Sequence, residues 1–368
     1  MGSGFHKNKT QPQNEKRLRR QTRRNACLMN NGGYMIKCFI MILGILTLTG
    51  YAKADSNQTK TITPPPYTAI ETKSPARTGV SMTGQHGSLQ VPSAFIQPGV
   101  AGVALYNAYT YQQAMLGTGD TLKNDTLYGV FSYAPVRYLD VSIGSLYSSS
   151  RISSSQTLNY SGDLRIGIKT GYNILPQLSV GGIGEILTYS KAGSAGYAGY
   201  NGNATSYTLS LLASYDMLHS SLSFPLIANL RLGYLWDNTQ NLISSNDNIF
   251  IPPAGKYAMG IRGDNRTLLA CSLLFPLPHY YIEPMLEFTS QFANSYSSYA
   301  ANDPSFANVS FDQNPLYLTP GIIFYTPVNG LRIALAAELS LSEKLNRTSG
   351  SVFITPQTVW IAGVSYRI

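Results

Sequence analysis

Thr358-Val-Trp-Ile-Ala-Gly-Val-Ser-Tyr-Arg-Ile368 closes the chain, and its pattern decides how the rest of the sequence is interpreted. Starting from Trp360, every second side chain is apolar or aromatic, whereas Ser365 and Arg367 belong to the alternate set. Successive side chains of a β-strand point to opposite faces, so a period of two indicates a strand. The closing segment is therefore predicted to be a strand with one apolar face and aromatic residues near its ends.

The same alternation recurs upstream. In residues 158–172, Leu164 and Ile166 face one side while Arg165 and Lys169 face the other. Such segments are about ten to fifteen residues long, which exceeds the five or six residues of an average soluble strand and suits a tilted membrane strand. Twelve strands are predicted, at residues 101–112, 125–134, 138–148, 158–172, 177–189, 204–217, 224–236, 265–275, 280–290, 314–326, 329–341 and 356–368.

Short and long connections alternate between these segments. Residues 134–137 and 326–330 are short and contain Pro, whereas 237–264 and 291–313 are long and polar. This order is typical of an up-and-down outer-membrane barrel, whose long loops face outside and whose tight turns face the periplasm. An even number of strands returns the chain to its starting side, so both mature termini are predicted to be periplasmic.

The closing segment resembles the last strand of Gram-negative outer-membrane β-barrels, which include the porins. The resemblance implies that Trp360, Tyr366 and Ile368 form the signal read by the barrel-assembly machinery, although the aromatic residue stands two places before the end. Residues 87–99 resemble a short motif that precedes the first strand in several such proteins, some of them linked to exopolysaccharide export. The implied fold is an all-β, transmembrane, antiparallel up-and-down β-barrel in contact with outer-membrane lipid and lipopolysaccharide.

A soluble secreted β-sandwich or β-solenoid is the competing interpretation of the strands. A soluble sheet keeps its large aromatic side chains inside, but the 26 Tyr of this chain recur near predicted strand ends. That placement is typical of the aromatic girdles at the two membrane interfaces of a barrel. No fixed repeat period of the kind that marks a solenoid is visible. The barrel is therefore preferred.

The formal net charge of +9 belongs to the N-terminal leader. Residues 1–54 hold ten of the 27 basic residues and one of the 18 acidic residues, which leaves 17 of each sign in residues 55–368. Because the body of the protein is neutral overall, its charge gives no reason to expect nucleic-acid binding.

The leader has the organisation of a secretory signal peptide. Its basic region precedes an apolar run at residues 38–51, which is shorter than the ~20 residues of a spanning helix. Ala52-Lys53-Ala54 then provides a small-x-small cleavage site, so an uncleaved anchor helix is the less favoured alternative. Met29 and Met35 are alternative start residues, since the basic region is extended.

Three regions follow from these boundaries. Residues 1–54 are predicted to be a signal peptide with an extended basic n-region, and residues 98–368 the outer-membrane β-barrel. Residues 55–97 include the Pro-rich stretch Thr61–Tyr67 and are predicted to be a periplasmic tail or a plug that folds back into the barrel.

No catalytic or metal site is expected. His86, His219 and His279 are predicted to be turn residues outside the outer loops, which leaves a hydrolytic site without an obvious base. Asn and Asp residues in 237–264 carry oxygen ligands suited to Ca²⁺, but their spacing matches no EF-hand loop. Cys271 lies between apolar residues and is predicted to face lipid. Neither an enzyme nor a cofactor is therefore predicted.

Charged and polar residues on the alternate faces form the predicted pore lining. Charges are costly to bury unless they are hydrated or paired, so these side chains must face water or each other. They either line a wet pore or interlock to close a narrow barrel, and twelve strands lie between the filled eight-stranded and open sixteen-stranded cases. The predicted set is Asp140, Asp163, Arg165, Lys169, Glu185, Asn229, Arg231, Glu283, Glu287, Arg332, Glu338 and Arg367.

Passive or weakly selective diffusion of small polar solutes is the function that the sequence favours. Size exclusion and the field of the lumen charges would provide the selectivity. The alternatives are a non-conducting structural or surface-binding barrel that acts through its long loops 237–264 and 291–313, and an export-associated barrel for polysaccharide. The sequence leaves the solute and the oligomeric state open.

Overall fold

The structure is a computed structural model, and it contains a β-barrel. The residues that it describes are 79–113, 121–152, 157–189, 204–219, 224–239, 263–277, 281–294, 309–326, 328, 330–342, 345–346, 352–353 and 357–368. The predicted signal peptide, residues 1–54, and residues 55–78 of the predicted tail or plug lie outside this part of the chain.

Strands dominate the described residues. A short 3₁₀-helix lies at Met217–His219, and no helix in the described part of the chain is long and apolar enough to cross a membrane. The strands are β1 Gly79–Val80, β2 His86–Gly87, β3 Val100–Gln113, β4 Thr121–Val136, β5 Leu139–Ile152, β6 Thr157–Leu175, β7 Leu178–Tyr189, β8 Ala204–Asp216, β9 Ile227–Trp236, β10 Arg266–Leu274, β11 Ile282–Ala293, β12 Val309–Phe311, β13 Leu316–Tyr325, β14 Leu331–Ser340, β15 Leu345–Asn346, β16 Val352–Phe353 and β17 Thr358–Arg367.

Twelve of these strands form one closed antiparallel barrel. Each pairs with the next barrel strand along the chain, in the order β3 to β11, then β13, β14 and β17. The closing strand returns to the first, with Trp360 opposite Tyr109 and Arg367 opposite Gly102. The predicted all-β fold, the count of twelve strands and the position of each strand are confirmed, with ends that differ by a few residues.

Opposite faces of the barrel wall differ sharply in chemistry. In β8, Tyr207, Leu209 and Leu211 are 47%, 60% and 68% exposed, whereas Ser206 and Ser210 of the alternate set are buried. The same alternation places Leu, Ile and Tyr side chains outside on the other long strands. An exposed apolar outer wall is unfavourable in water and favourable in hydrocarbon, as a membrane barrel requires.

The short connections make one end of the barrel tight. Residues between β4 and β5 and between β6 and β7 form two-residue turns, and Gly330 precedes β14 with a φ of 83°. A side chain at Gly330 would meet the main-chain oxygen of Arg367 at 2.5 Å, which explains a glycine there. We call this end the short-turn end. At the other end, β12, β15 and β16 from the long connections form a small separate sheet.

Leu211→Arg tests the apolar outer wall. We expect the substitution to lower the free energy of unfolding from phospholipid vesicles by about 2–4 kcal/mol, because it puts a charge into hydrocarbon near the middle of a strand. Val328→Arg is the control, since Val328 is 57% exposed but lies in the short connection before β14. It should cost about 0–1 kcal/mol. Equal losses in a urea titration of the two variants would contradict a membrane-embedded wall.

Candidate functional site

Residues 79–99, which we call the lumen loop, occupy the interior of the barrel. Ser81, Gln85, Leu89 and Val91 are at most 1% exposed, although the loop has only a two-residue pairing of β1 with β2 as regular structure. Its hydrogen-bond partners lie on strands all around the wall, from β3 through β8 to β11 and β14. A segment can reach all of these strands only from inside.

Both ends of the lumen loop lie at the short-turn end. Val80 packs against Gly102 near the start of β3, and the N–H of Gly99 donates to the carbonyl oxygen of Ala134 at 2.8 Å. Between these ends, Gln90 reaches Glu338 near the far end of β14, with 2.8 Å between Nε2 and the carboxylate. The loop therefore enters and leaves through the same mouth.

The lumen loop carries no Asp, Glu, Lys or Arg. Its titratable side chain is His86, and most of its other polar groups are hydroxyls, amides and main-chain atoms. The wall around it is charged, so an uncharged segment is held in a charged enclosure. Main-chain and hydroxyl groups must satisfy the wall charges that water would otherwise solvate.

Asp140 and Lys169 form the first anchor of the loop. Both side chains are completely buried, and 3.1 Å separates the Lys169 ammonium from the carboxylate. The carboxylate lies 2.9 Å from Nδ1 of His86 and accepts a 2.7 Å hydrogen bond from Ser132. Lys169 also donates to the carbonyl oxygens of His86 and Ser93, at 3.1 and 3.0 Å. This ion pair therefore binds the loop at His86 and at Ser93, on the two sides of its tip.

Glu287 is the second anchor. Its carboxylate accepts hydrogen bonds from the hydroxyl of Ser88 at 2.5 Å, from the N–H of Gln90 at 3.0 and 3.1 Å, and from the N–H of Val91 at 3.4 Å. Each carboxyl oxygen has two lone pairs, so this one group can accept several hydrogen bonds at once. One buried side chain of β11 thus holds the tip of the loop.

Small residues on the wall make room for the returning part of the loop. Ser214 accepts from the N–H of Ala94 at 2.8 Å, and Ser179 donates to the carbonyl oxygen of Ala94 at 3.0 Å. A Cβ on Gly171 would lie 2.2 Å from that same oxygen. The main chain of the loop therefore packs directly against the main chain of β6.

A further charged cluster lies toward the long connections. Arg231 bonds the carboxylate of Glu185 at 2.5 Å and the hydroxyl of Ser210 at 3.0 Å. Arg165 is 3.6 Å from the same carboxylate, and its side chain is 32% exposed. This cluster makes no hydrogen bond to the lumen loop among those that the structure gives.

The remaining residues of the predicted pore lining have varied surroundings. Asn229 bonds Ser214 and Ser272, and Glu283 accepts from Tyr325 at 2.8 Å. Other members are placed as follows: Arg332 lies over the Tyr325 ring and next to Gly79, Arg367 is partly buried at the end of β17, and the side chain of Asp163 is outside the described part of the structure. The described members share the inner face of the wall. Several of them contact the loop, whereas the sequence predicted that they face water or each other.

His86 lies in a different environment from the one that the sequence predicts. His86 was expected in a turn, but it lies in β2 inside the barrel because Asp140 offers it a buried partner. The side chains of the other two histidines, and most of the long connections, lie outside the described residues. Trp360 and Ile368 are 61% and 68% exposed on the outer wall, so their role in assembly stays a prediction.

Serines and main-chain groups are the site components that the sequence did not single out. Ser132, Ser142 and Ser214 face inward and bond the loop or its anchors. Strand alternation identifies them as inward residues, but nothing in a serine-rich strand distinguishes a hydroxyl that binds a loop from one that faces water.

Comparison with known proteins gives similarity at the level of solved structures. No protein-family model and no curated protein matches the chain. The COG4313 outer membrane channel from Pseudomonas putida F1 is 11% identical with a TM-score of 0.47, covering 74% of this chain and 97% of that one. The NanC porin is 11% identical with a TM-score of 0.41, covering 72% of this chain and 100% of that one. The translocator domain of the autotransporter NalP from Neisseria meningitidis is 12% identical with a TM-score of 0.40, covering 74% of this chain and 90% of that one. At these identities and scores the comparisons assign no function to this chain.

Glu287→Gln tests the second anchor. We expect the amide hydrogens of Gln90 and Val91 to exchange with solvent about ten-fold faster, because the amide replaces one of the two accepting carboxyl oxygens by an N–H donor. Hydrogen–deuterium exchange with mass spectrometry measures this directly. Asp125→Asn is the matched control, since Asp125 is exposed and bonds Asn107 away from the loop. Identical exchange in both variants would show that Glu287 does not hold the loop.

Proposed function

We propose that the protein is an outer-membrane channel for small polar solutes, and that the lumen loop closes its path. The apolar outer wall and the closed sheet support a membrane location, because each wall strand pairs with a neighbour on both sides and no open sheet edge remains. The short-turn end then faces the periplasm, as tight turns do in outer-membrane barrels. Lipopolysaccharide and the barrel-assembly machinery are the partners that this location implies.

The main support for this proposal is that a separate segment of the chain fills the lumen. Small eight-stranded barrels fill their interior with side chains of the wall itself. Here a separate segment fills the space, its connection to the barrel is at one mouth, and noncovalent contacts from Lys169, Glu287 and Ser214 hold it. Withdrawal of the loop through the short-turn end leaves the wall strands and their pairing intact.

Passage through the open barrel would follow from size and charge. The space vacated by the loop is lined by hydroxyls and by the charges of Asp140, Lys169 and Glu287, all of which regain water once the loop leaves. Solutes smaller than the opening would diffuse through, and the field of the wall would bias them by charge. No reacting group is needed for this function.

A non-conducting barrel is the second candidate. Its support is the complete burial of Lys169 and Asp140, since removing the loop exposes an ion pair that is well satisfied in place. In that case the long connections would act as the binding surface. Polysaccharide export has the resemblance of residues 87–99 in its favour, and those residues are part of the lumen loop.

Gly171→Ala tests closure by the loop. The added Cβ would collide with the main-chain oxygen of Ala94, so we expect the loop to be displaced and the open time in planar bilayers to rise about ten-fold or more, as for a loss of ~1.4 kcal/mol. Gly184→Ala is the matched control in the neighbouring strand, because nothing lies within 4 Å of its added Cβ. Absence of conductance steps in every variant favours the non-conducting barrel.

A reversible cross-link provides the converse test. The hydroxyls of Ser93 and Ser214 are 3.1 Å apart, so Ser93→Cys with Ser214→Cys should form a disulfide between loop and wall. We make the pair in a Cys271→Ser background and expect oxidised protein to show no steps, with steps restored by a reductant. Ser93→Cys alone is the control. Equal conductance of the oxidised and reduced double variant would exclude the loop as the closing element.

A further inference from the structure

We propose that the surface that binds the lumen loop is the selectivity filter of the open channel, and that it favours small cations, in particular organic ammonium and guanidinium ions. The inference rests on the proposed channel function and goes beyond it in assigning the charge class of the solute. It depends on three observations: the charge of the wall, the absence of charge in the loop, and the chemistry of the groups on Glu287.

The wall around the loop is acidic among the described residues. Four carboxylates surround the loop against two cationic groups, and Asp216 and Arg367 add one charge of each sign at the short-turn mouth. Toward the long connections the described charges include four acids against three bases, so that end adds no positive excess. The groups around the loop are Asp140, Glu283, Glu287 and Glu338 against Lys169 and Arg332; those toward the long connections are Glu185, Asp237, Asp264 and Asp312 against Arg165, Arg231 and Arg266.

Withdrawal of the loop uncovers this charge without changing it. The loop contains no Asp, Glu, Lys or Arg, so apart from His86 beside Asp140 its departure removes no side chain that could compensate this charge. The uncovered wall then carries two net negative charges by formal count. In a narrow enclosure with low-dielectric walls, such an excess concentrates cations and repels anions.

The contacts of Glu287 indicate the kind of cation. Its carboxylate binds three donors from the loop, one O–H and two N–H groups. Ammonium groups offer three N–H donors and a guanidinium offers five in a planar fork, so such groups can replace the donors of the loop. A solute that enters with these groups satisfies the carboxylate that the loop leaves.

An unpartnered hydroxyl beside Glu287 adds an acceptor to the same face. Thr319 lies directly opposite Glu287 on β13, so the two side chains point to the same side of the wall. Thr319 is 0% exposed, and its hydroxyl has no hydrogen-bond partner within the described structure. Together with the carboxylate it offers oxygen acceptors that suit a hydrogen-bond-donating cation.

Ion selectivity in planar bilayers tests the inference with the full chain. We expect the reversal potential in a KCl gradient to show preference for K⁺ over Cl⁻. In chloride salts of organic cations, methylammonium and guanidinium should be more permeant than tetramethylammonium, which has no N–H donor. Glu287→Gln should lower the cation-to-anion permeability ratio about two-fold or more, and Lys169→Gln should raise it. The reversal potential belongs to the open state, so a change in open time does not affect it.

Glu338→Gln and Asp125→Asn complete the design. Glu338 makes one hydrogen bond to the loop and is partly exposed, so its variant tests the filter with little risk to folding. Asp125 faces outward, and its variant should leave the ratio unchanged. Anion preference of the native channel, or unchanged ratios in both glutamate variants, would overturn the filter while the channel stands. Absence of steps in every variant overturns the channel and the filter together.

Discussion

Lys169 and Asp140 form the interaction on which the arrangement of the interior depends. Neither side chain reaches solvent, and an ion pair without water is costly unless its remaining donors and acceptors are satisfied. The wall supplies Ser132, while the loop supplies His86 and two carbonyl oxygens. The loop therefore has a fixed path because the charges of the wall dictate where its carbonyl groups lie. A barrel with neutral residues at these positions would have no such reason to order the segment.

The strands were predictable because their signal is local. Each strand has apolar side chains on its outer face and polar ones on its inner face, so its sequence alone shows a period of two. The alternation of short and long connections then indicates the order of the strands around the barrel. Strand ends were less certain: β4 begins at Thr121 instead of residue 125, where Lys123 and Asn124 interrupt the apolar pattern. Pairing with β3 and β5 extends this strand, and such pairing is not visible in one segment alone.

The interior was less predictable than the wall. Alternation assigned charged residues to the inner face, but it does not tell whether they meet water or protein. Residues 79–99 have no periodicity, and their partners are far away in sequence: Ser88 meets Glu287 across 199 residues. A short polar segment of this kind is compatible with either a periplasmic tail or a plug until the barrel around it is known. The absence of charge in the segment was the available signal, since it permits burial beside the unlike charges of the wall.

The uncharged character of the lumen loop also limits how its movement can be controlled. An electric potential does work only on charge, about 2.3 kcal/mol for each elementary charge that crosses 100 mV. A segment without fixed charge carries almost no gating charge, and its main-chain dipoles contribute little when the chain doubles back on itself. Any voltage response of this barrel would therefore have to come from its wall or its outer loops. Displacement of the segment would then require ligands that compete for its anchors, or mechanical force on the chain that precedes it.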